Sequence, residues 1–174
     1  MKRLIGFVVA IVFFLILVLL LVFKLFFSPS TEQAPATQTD PFQGITAQSQ
    51  TLQTDTPYRA AISCYTWYLE VYSRGATPQQ VAARPEAAQC FTPSFIASWD
   101  SLIQSTGSDP VLLSQDYGIS WSSHISATTV GQSIHSSDQQ VTLGEGSDQT
   151  TVVAHLVETQ DQHWQIDSVS EPAS

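Results

Sequence analysis

The stretch from Leu4 to Phe23 constrains this chain of 174 residues more than any other feature. Its twenty residues carry no charge, and only Gly6 interrupts the apolar side chains. A helix rising 1.5 Å per residue would carry such a run across about 30 Å, the thickness of a bilayer's hydrocarbon core. Lys2 and Arg3 precede the run and only Lys24 closely follows it. The positive-inside bias therefore predicts a cytoplasmic N-terminus, with everything after Ser28 on the far side. Lys24 can extend its ammonium to the far interface beside Leu25, Phe26 and Phe27. The competing reading is a cleaved signal peptide, whose apolar core runs about 7–15 residues and ends at a small-x-small site. This run is longer, and the junction Phe26-Phe27-Ser28-Pro29-Ser30 has no good site of that kind. Residues 1–27 therefore read as a short cytoplasmic tip and an uncleaved transmembrane anchor.

Charge divides at the same boundary. Residues 1–27 hold three basic side chains and no acid, whereas the rest of the chain sets Arg59, Arg74 and Arg84 against all 15 acids. The part beyond the anchor thus has a net charge of −12. A nucleic-acid binder needs a basic footprint on its folded part, so that class is excluded. A single apolar span also excludes a multi-span transporter. A body this acidic repels anionic wall polymers and anionic lipid headgroups.

Residues 28–55 include 15 Ser, Thr or Gln among 28 positions, with Pro29, Pro35 and Pro41. Only Phe42, Ile45 and Leu52 have real apolar bulk, too little to offset the ordering entropy, so the segment reads as a disordered linker. A coil of that length spans very roughly 30 Å.

From Thr56 the texture changes. Thr56-Pro57, Thr77-Pro78 and Thr92-Pro93 each pair an N-cap residue with the residue that fits the first helical position. Gln80, three residues after Thr77, has the spacing of a capping box. The predicted helices cover about 57–73, 78–88 and 93–104, the second liable to kink or end at Pro85. Tyr58, Ala61, Ile62, Tyr65, Leu69 and Tyr72 give the first an apolar stripe, and Phe95, Ile96, Trp99, Leu102 and Ile103 give one to the third. Strands are predicted over 139–143, 150–158 and 163–170, with a fainter one over 125–134. Ser136–Asp138, Gly144–Asp148 and Gln160–Gln162 read as short polar connections. Helices followed by antiparallel strands make an α+β domain over 56–170, with 171–174 as a tail.

Tyr65-Thr66-Trp67-Tyr68-Leu69, the run from Asp109 to Tyr117 and the closing His163-Trp164-Gln165-Ile166-Asp167-Ser168-Val169 together carry a resemblance. Residues 56–170 resemble the small bacterial exported domains of the nuclear-transport-factor-2-like superfamily. That resemblance implies a cone, with three helices packed on a curved antiparallel sheet and often a cavity between them. It also implies a bacterial plasma membrane for the anchor. The superfamily hosts enzymes and non-enzymes, and none of its catalytic sets maps onto this sequence, so activity must be argued from the site.

Cys64 and Cys90 lie outside the membrane and could form one disulfide, or remain two buried thiols. His124, His135, His155 and His163 lack the spacing of a metal site, so no metal and no cofactor are expected. His155 alternates with Val153 and Val157 and should share their sheet face. Trp67, Trp99, Trp121 and Trp164 could frame an apolar pocket, although large aromatics at such spacings usually fill a core. Asp116 and Tyr117, where a loop would feed the sheet, and Asp167 complete the candidate cavity-lining set. The chain contains no asparagine, so it cannot be N-glycosylated.

The expected function is a membrane-anchored extracytoplasmic binding or interaction module, without catalysis. It would present a concave cavity or sheet face to a small apolar ligand or an envelope protein, with homo-oligomers allowed. The alternatives are an isomerase- or hydratase-like enzyme, whose carboxylate and tyrosine exchange a proton in the cavity, or a scaffold subunit of an envelope secretion complex.

Overall fold

The structure, a computed structural model, describes residues 52–173. The membrane segment expected at 4–23 lies outside the described residues, as does the linker expected at 28–55 apart from its last four positions. Among the described residues, no helix is long and apolar enough to cross a membrane.

Each Thr-Pro step begins a helix. Thr56 accepts the Arg59 N–H at 3.3 Å ahead of α1 (Pro57–Ser73). Thr77 accepts from Gln80 at 3.3 Å ahead of α2 (Pro78–Ala82), and the Gln80 side chain returns to the Thr77 N–H at 2.8 Å, closing the capping box. Thr92 accepts from Phe95 at 3.2 Å ahead of α4 (Pro93–Thr106). The helix expected over 78–88 is divided, because Pro85 supplies no N–H and disfavours helical backbone at Arg84. A turn separates α2 from α3 (Ala87–Cys90), giving four α-helices among the described residues where three were expected. Gly107 ends α4 in the left-handed region, at φ 69°.

The strands are β1 (Ile125–Gln132), β2 (Ser136–Leu143), β3 (Thr150–Glu158) and β4 (Trp164–Ser170). They form an antiparallel meander in the order β1-β2-β3-β4. Ser136–Asp138, expected as a connection, instead opens β2, and the turn falls at residues 133–135. The alternation of β2 explains this: Ser137 and Gln139 share the inner face with Val141 and Leu143. Their polar groups are satisfied there, since Gln139 Nε2 donates to Thr129 Oγ1 at 2.9 Å and to Ser137 Oγ at 2.8 Å.

The helices cover one face of this sheet, and α1 touches all four strands. The stripe expected on α1 is too narrow and partly misplaced. Tyr58 is exposed, whereas Cys64, Trp67, Tyr68 and Val71 are buried with Ala61, Tyr65 and Leu69. A single stripe suffices for a helix with one covered side. Here α1 meets the sheet on one side and Phe91, Trp99 and Val111 on another. Cys64 in α1 and Cys90 at the end of α3 are joined by a disulfide, their Cα atoms 5.4 Å apart and both residues fully buried. Leu52 and Thr54 are buried as well, and Trp164 donates its backbone N–H to the Thr54 carbonyl at 2.8 Å.

Candidate functional site

The interior between helices and sheet is filled by aromatic side chains. Trp67, Trp99, Trp121 and Trp164 all belong to the hydrophobic core. Trp99 meets Tyr68, Phe91 and Phe95 edge to face, with ring centroids 6.1, 5.1 and 5.9 Å apart. Offset and edge-to-face contacts of this kind add to the apolar area already buried. A second row runs outward from Tyr68 through Tyr72 and Tyr117 to Trp121, at spacings of 5.7–6.1 Å.

One ionisable group sits within this packing. Asp109 is buried, and its Oδ1 accepts the N–H groups of Val111 and Leu112, each at 2.8 Å. Its Oδ2 accepts the Tyr68 hydroxyl at 2.5 Å. Burial raises the Asp109 pKa, and the bonds from Tyr68, Leu112 and Val111 act against that rise. Burial and then the Asp109 charge push the Tyr68 hydroxyl well above its ordinary value; Tyr65 and, less completely buried, Tyr72 shift the same way. With three of its roughly four acceptor positions taken by α1 and its own turn, Asp109 serves as a staple between α1 and the turn after α4. Its signal in the sequence is the Asp-Pro step, a turn former, but its partner lies 41 residues away.

On the outer sheet face, accessible titratable groups from neighbouring strands meet. Asp138 in β2, His155 in β3 and Ser168 in β4 are cross-strand partners on that face, and Gly131 in β1 is the partner of Asp138. His155 Nδ1 lies 2.5 Å from Asp138 Oδ1, with both side chains about two-fifths exposed (40% and 43%). The other Asp138 oxygen, Oδ2, lies over Gly131, where a β-carbon would stand only 2.7 Å from it. Two further histidines also face acids, His124 with Glu145 at 3.3 Å and His135 with Glu158 at 3.0 Å. The register that joins Asp138 to His155 cannot be read from either strand alone, which is why the sequence did not single out Asp138.

The eight residues expected to line one cavity are therefore dispersed. The four tryptophans are interior. Asp116 is exposed and Tyr117 half-buried on the loop that precedes β1. His155 shares the outer face with Val153 and Val157, while Val152, Ala154 and Leu156 face the core. Asp167 caps a different element, accepting the Thr92 hydroxyl at 2.7 Å and the Ser94 hydroxyl at 3.2 Å at the start of α4. A surface groove of about 360 Å³ lies between Leu112, Leu113, the start of β3 and the tail from Glu171, and none of the eight lines it. The 114–124 loop is anchored elsewhere: Asp148 Oδ2 accepts from Ser120 N and Oγ at 2.9 and 2.8 Å, which lowers the Asp148 pKa.

No protein-family model and no curated protein matches the chain. Among solved structures, it is similar to a chain of the native type VI effector-immunity complex Tae3-Tai3 from Ralstonia pickettii. That match has a TM-score of 0.57 and 21% identity, covering 69% of this chain and 98% of that one. The selenomethionine form of the same complex matches with a TM-score of 0.55 and 22% identity, over 68% and 98% of the two chains. A protein of unknown function from Bacteroides thetaiotaomicron matches at 18% identity with a TM-score of 0.45, over 74% and 97%. At these identities the likeness is one of fold.

Proposed function

We propose that this chain is a membrane-anchored, extracytoplasmic protein-binding module without catalytic activity, built on a nuclear-transport-factor-2-like fold in a bacterial envelope. The observation that carries the reading is the distribution of chemistry-bearing side chains. The tryptophans are spent on the core, Asp109 is used within the fold, and the three histidine–acid pairs lie along the strands and their connections rather than around one cavity. Such a surface suits recognition by complementary charge and backbone pairing better than it suits proton transfer to a small substrate. The fold likeness to a chain from an effector-immunity complex supports a protein as the partner. The uncharged run at 4–23 supports the anchor, and the buried Cys64–Cys90 disulfide supports an oxidising compartment outside the cytoplasm.

The test uses the full chain in membranes of a bacterial host. A Ser147→Cys variant should react with a membrane-impermeant maleimide in intact cells, since Ser147 is an exposed position in the β2–β3 connection. Cross-linking in the native bacterium, followed by reciprocal capture from the partner's side, should return one protein in stoichiometric amount. Labelling only after lysis would remove the extracytoplasmic reading. Turnover of a small substrate by the purified chain, or the absence of any reciprocal protein partner, would remove the module.

A further inference from the structure

The two edges of the sheet are treated differently. The β4 edge is covered: Phe91 bridges to Ile166, Thr92 donates its N–H to the Ile166 carbonyl at 3.0 Å, and the Gln165 amide reaches the Ala88 carbonyl at 2.6 Å. Thr54 extends the cover to Trp164. On the β1 side, no main-chain group among the described residues pairs with the outer edge. An uncovered edge offers a row of N–H and C=O groups to another chain, and proteins usually guard it with lysine, proline or inward charge. β1, Ile-Ser-Ala-Thr-Thr-Val-Gly-Gln, has none of these, and of the other guards only a bulge near its C-terminal end. Its one irregularity is the bulge at Val130, which leaves the register regular from Ile125 to Thr129 and turns an apolar side chain to solvent. Ile134, at the tip of the same hairpin, is 82% exposed.

Charge decides what suits this edge. Residues 85–174 contain 11 acids and no lysine or arginine. The described arginines lie earlier in the chain, and each meets a neighbouring acid: Arg59 with Asp55, Arg74 with Glu70 and Arg84 with Glu86. A second copy would bring like charge to like charge and no cation to the edge. A basic partner meets complementary charge instead. Asp138 gives this preference an address. Because Gly131 has no side chain, Asp138 Oδ2 sits over β1 and is reachable from the edge, while Oδ1 is engaged by His155.

We infer that the free edge of β1 takes an extended segment of a cationic protein as a fifth strand, with a lysine or arginine of that segment reaching over Gly131 to Asp138 Oδ2. The inference rests on the reading of the chain as a protein-binding module and supplies its surface and the chemistry of its partner. Backbone pairing would give affinity and the cation would give register, as in other cases of strand addition.

The test follows amide hydrogen exchange in the full chain in detergent micelles, with a capped octapeptide alternating lysine and valine as the probe. The expected result is slower exchange confined to the 125–132 strand. Methylation of the peptide's alternate amides, on the side that faces β1, should weaken binding at least about tenfold, since each lost pairing bond contributes of the order of 1 kcal/mol. A glutamate-valine peptide should fail to bind. Asp138→Asn should weaken the lysine peptide roughly two- to fivefold, the range of an exposed ion pair, whereas Asp100→Asn on α4 should not. Four results would overturn the inference: no binding at millimolar peptide, protection of another segment, indifference to amide methylation, or equal loss in the two aspartate variants. Slow exchange along the outer edge of β1 before peptide is added would also overturn it, because the chain itself or a second copy would then hold the edge. If the partner captured from membranes protects a different segment, the edge assignment fails while the module reading stands.

Discussion

The Tyr68 hydroxyl donates to Asp109 Oδ2 at 2.5 Å, tying the middle of α1 to the turn that follows α4. The same carboxylate holds two backbone N–H groups of that turn, so one side chain serves three donors in a buried setting. Removing it strands all three. Asp109→Ala should lower the free energy of unfolding by about 2–4 kcal/mol, read from urea denaturation. A loss below about 1 kcal/mol would mean that water or a rearranged turn replaces the carboxylate.

Asp109 also predicts a pH dependence with a definite sign. Burial raises its pKa in the folded protein, so the folded state holds this proton more tightly than the unfolded one. The stability it contributes is present below the ordinary carboxylate pKa of about 4 and is lost as pH rises through the raised native value. The difference in unfolding free energy between the native sequence and Asp109→Asn should therefore shrink as pH increases from about 4. A difference that grows with pH would place the native pKa below the ordinary value.

Tyrosine ionisation should follow unfolding rather than precede it. Burial, with Asp109 second, raises the pKa of Tyr65 and Tyr68, and Tyr72 moves the same way. Folded-state stability from these groups is intact below about pH 10 and declines above it, where unfolded tyrosines lose their protons. In an alkaline titration followed at 295 nm, the absorbance of Tyr65 and Tyr68 should rise together with loss of the far-ultraviolet circular dichroism. Tyr68→Phe should remove one step of that coupled change. Full ionisation of all five tyrosines in a still-folded protein would contradict the buried placement.

Helix starts were the most legible part of this fold because their signals are local. Each threonine cap needs only the residue three positions on, and all three bond as the spacing predicts. β4, which alternates apolar and polar residues, and β3, a β-branched run apolar on both faces, were legible for the same reason. The start of β2 was not, since Ser137 and Gln139 look like turn residues until their side chains are seen to satisfy each other and Thr129. The site was legible only in part. His155 was assigned to the correct face with Val153 and Val157, but whether that face looked inward depended on helices laid on the opposite side. Asp138 and Gly131 acquire their roles from register across three strands, and no window of sequence contains that register.

The disulfide should be inert in the folded protein. Cys64 and Cys90 have no exposed surface, so a reductant must wait for unfolding. Closing a loop of 26 residues removes unfolded-state entropy corresponding to about 3 kcal/mol in the chain-entropy treatment. Cys64→Ala with Cys90→Ala should therefore lose stability of about that size. Reduction by dithiothreitol should proceed only in denaturant, and denatured, unreduced protein should show no free thiol. Two titratable thiols in that state would refute the bridge.

Gly144 and Gly146 allow backbone strain and crowding to be separated within one connection. Both adopt positive φ, 79° and 61°, a region that disfavours any residue with a β-carbon by about 1–2 kcal/mol. A β-carbon on Gly146 would meet nothing within 4 Å, so Gly146→Ala should lose only the conformational part. On Gly144 it would stand 2.6 Å from Trp121 Cδ1, 2.7 Å from Ser120 Oγ and 2.8 Å from the Asp148 carbonyl. That carbonyl accepts the Trp121 indole N–H at 2.6 Å, so the ring cannot retreat without breaking a hydrogen bond. Gly144→Ala should consequently lose at least about 1 kcal/mol more than Gly146→Ala, from the strained packing and the weakened indole bond. Tryptophan fluorescence should shift in the first variant and not in the second. Equal losses with unchanged fluorescence would show that Trp121 is free to move, and that the loop before β1 is held without its indole bond, by the hydrogen bonds of Ser120 and His124 to the β2–β3 connection.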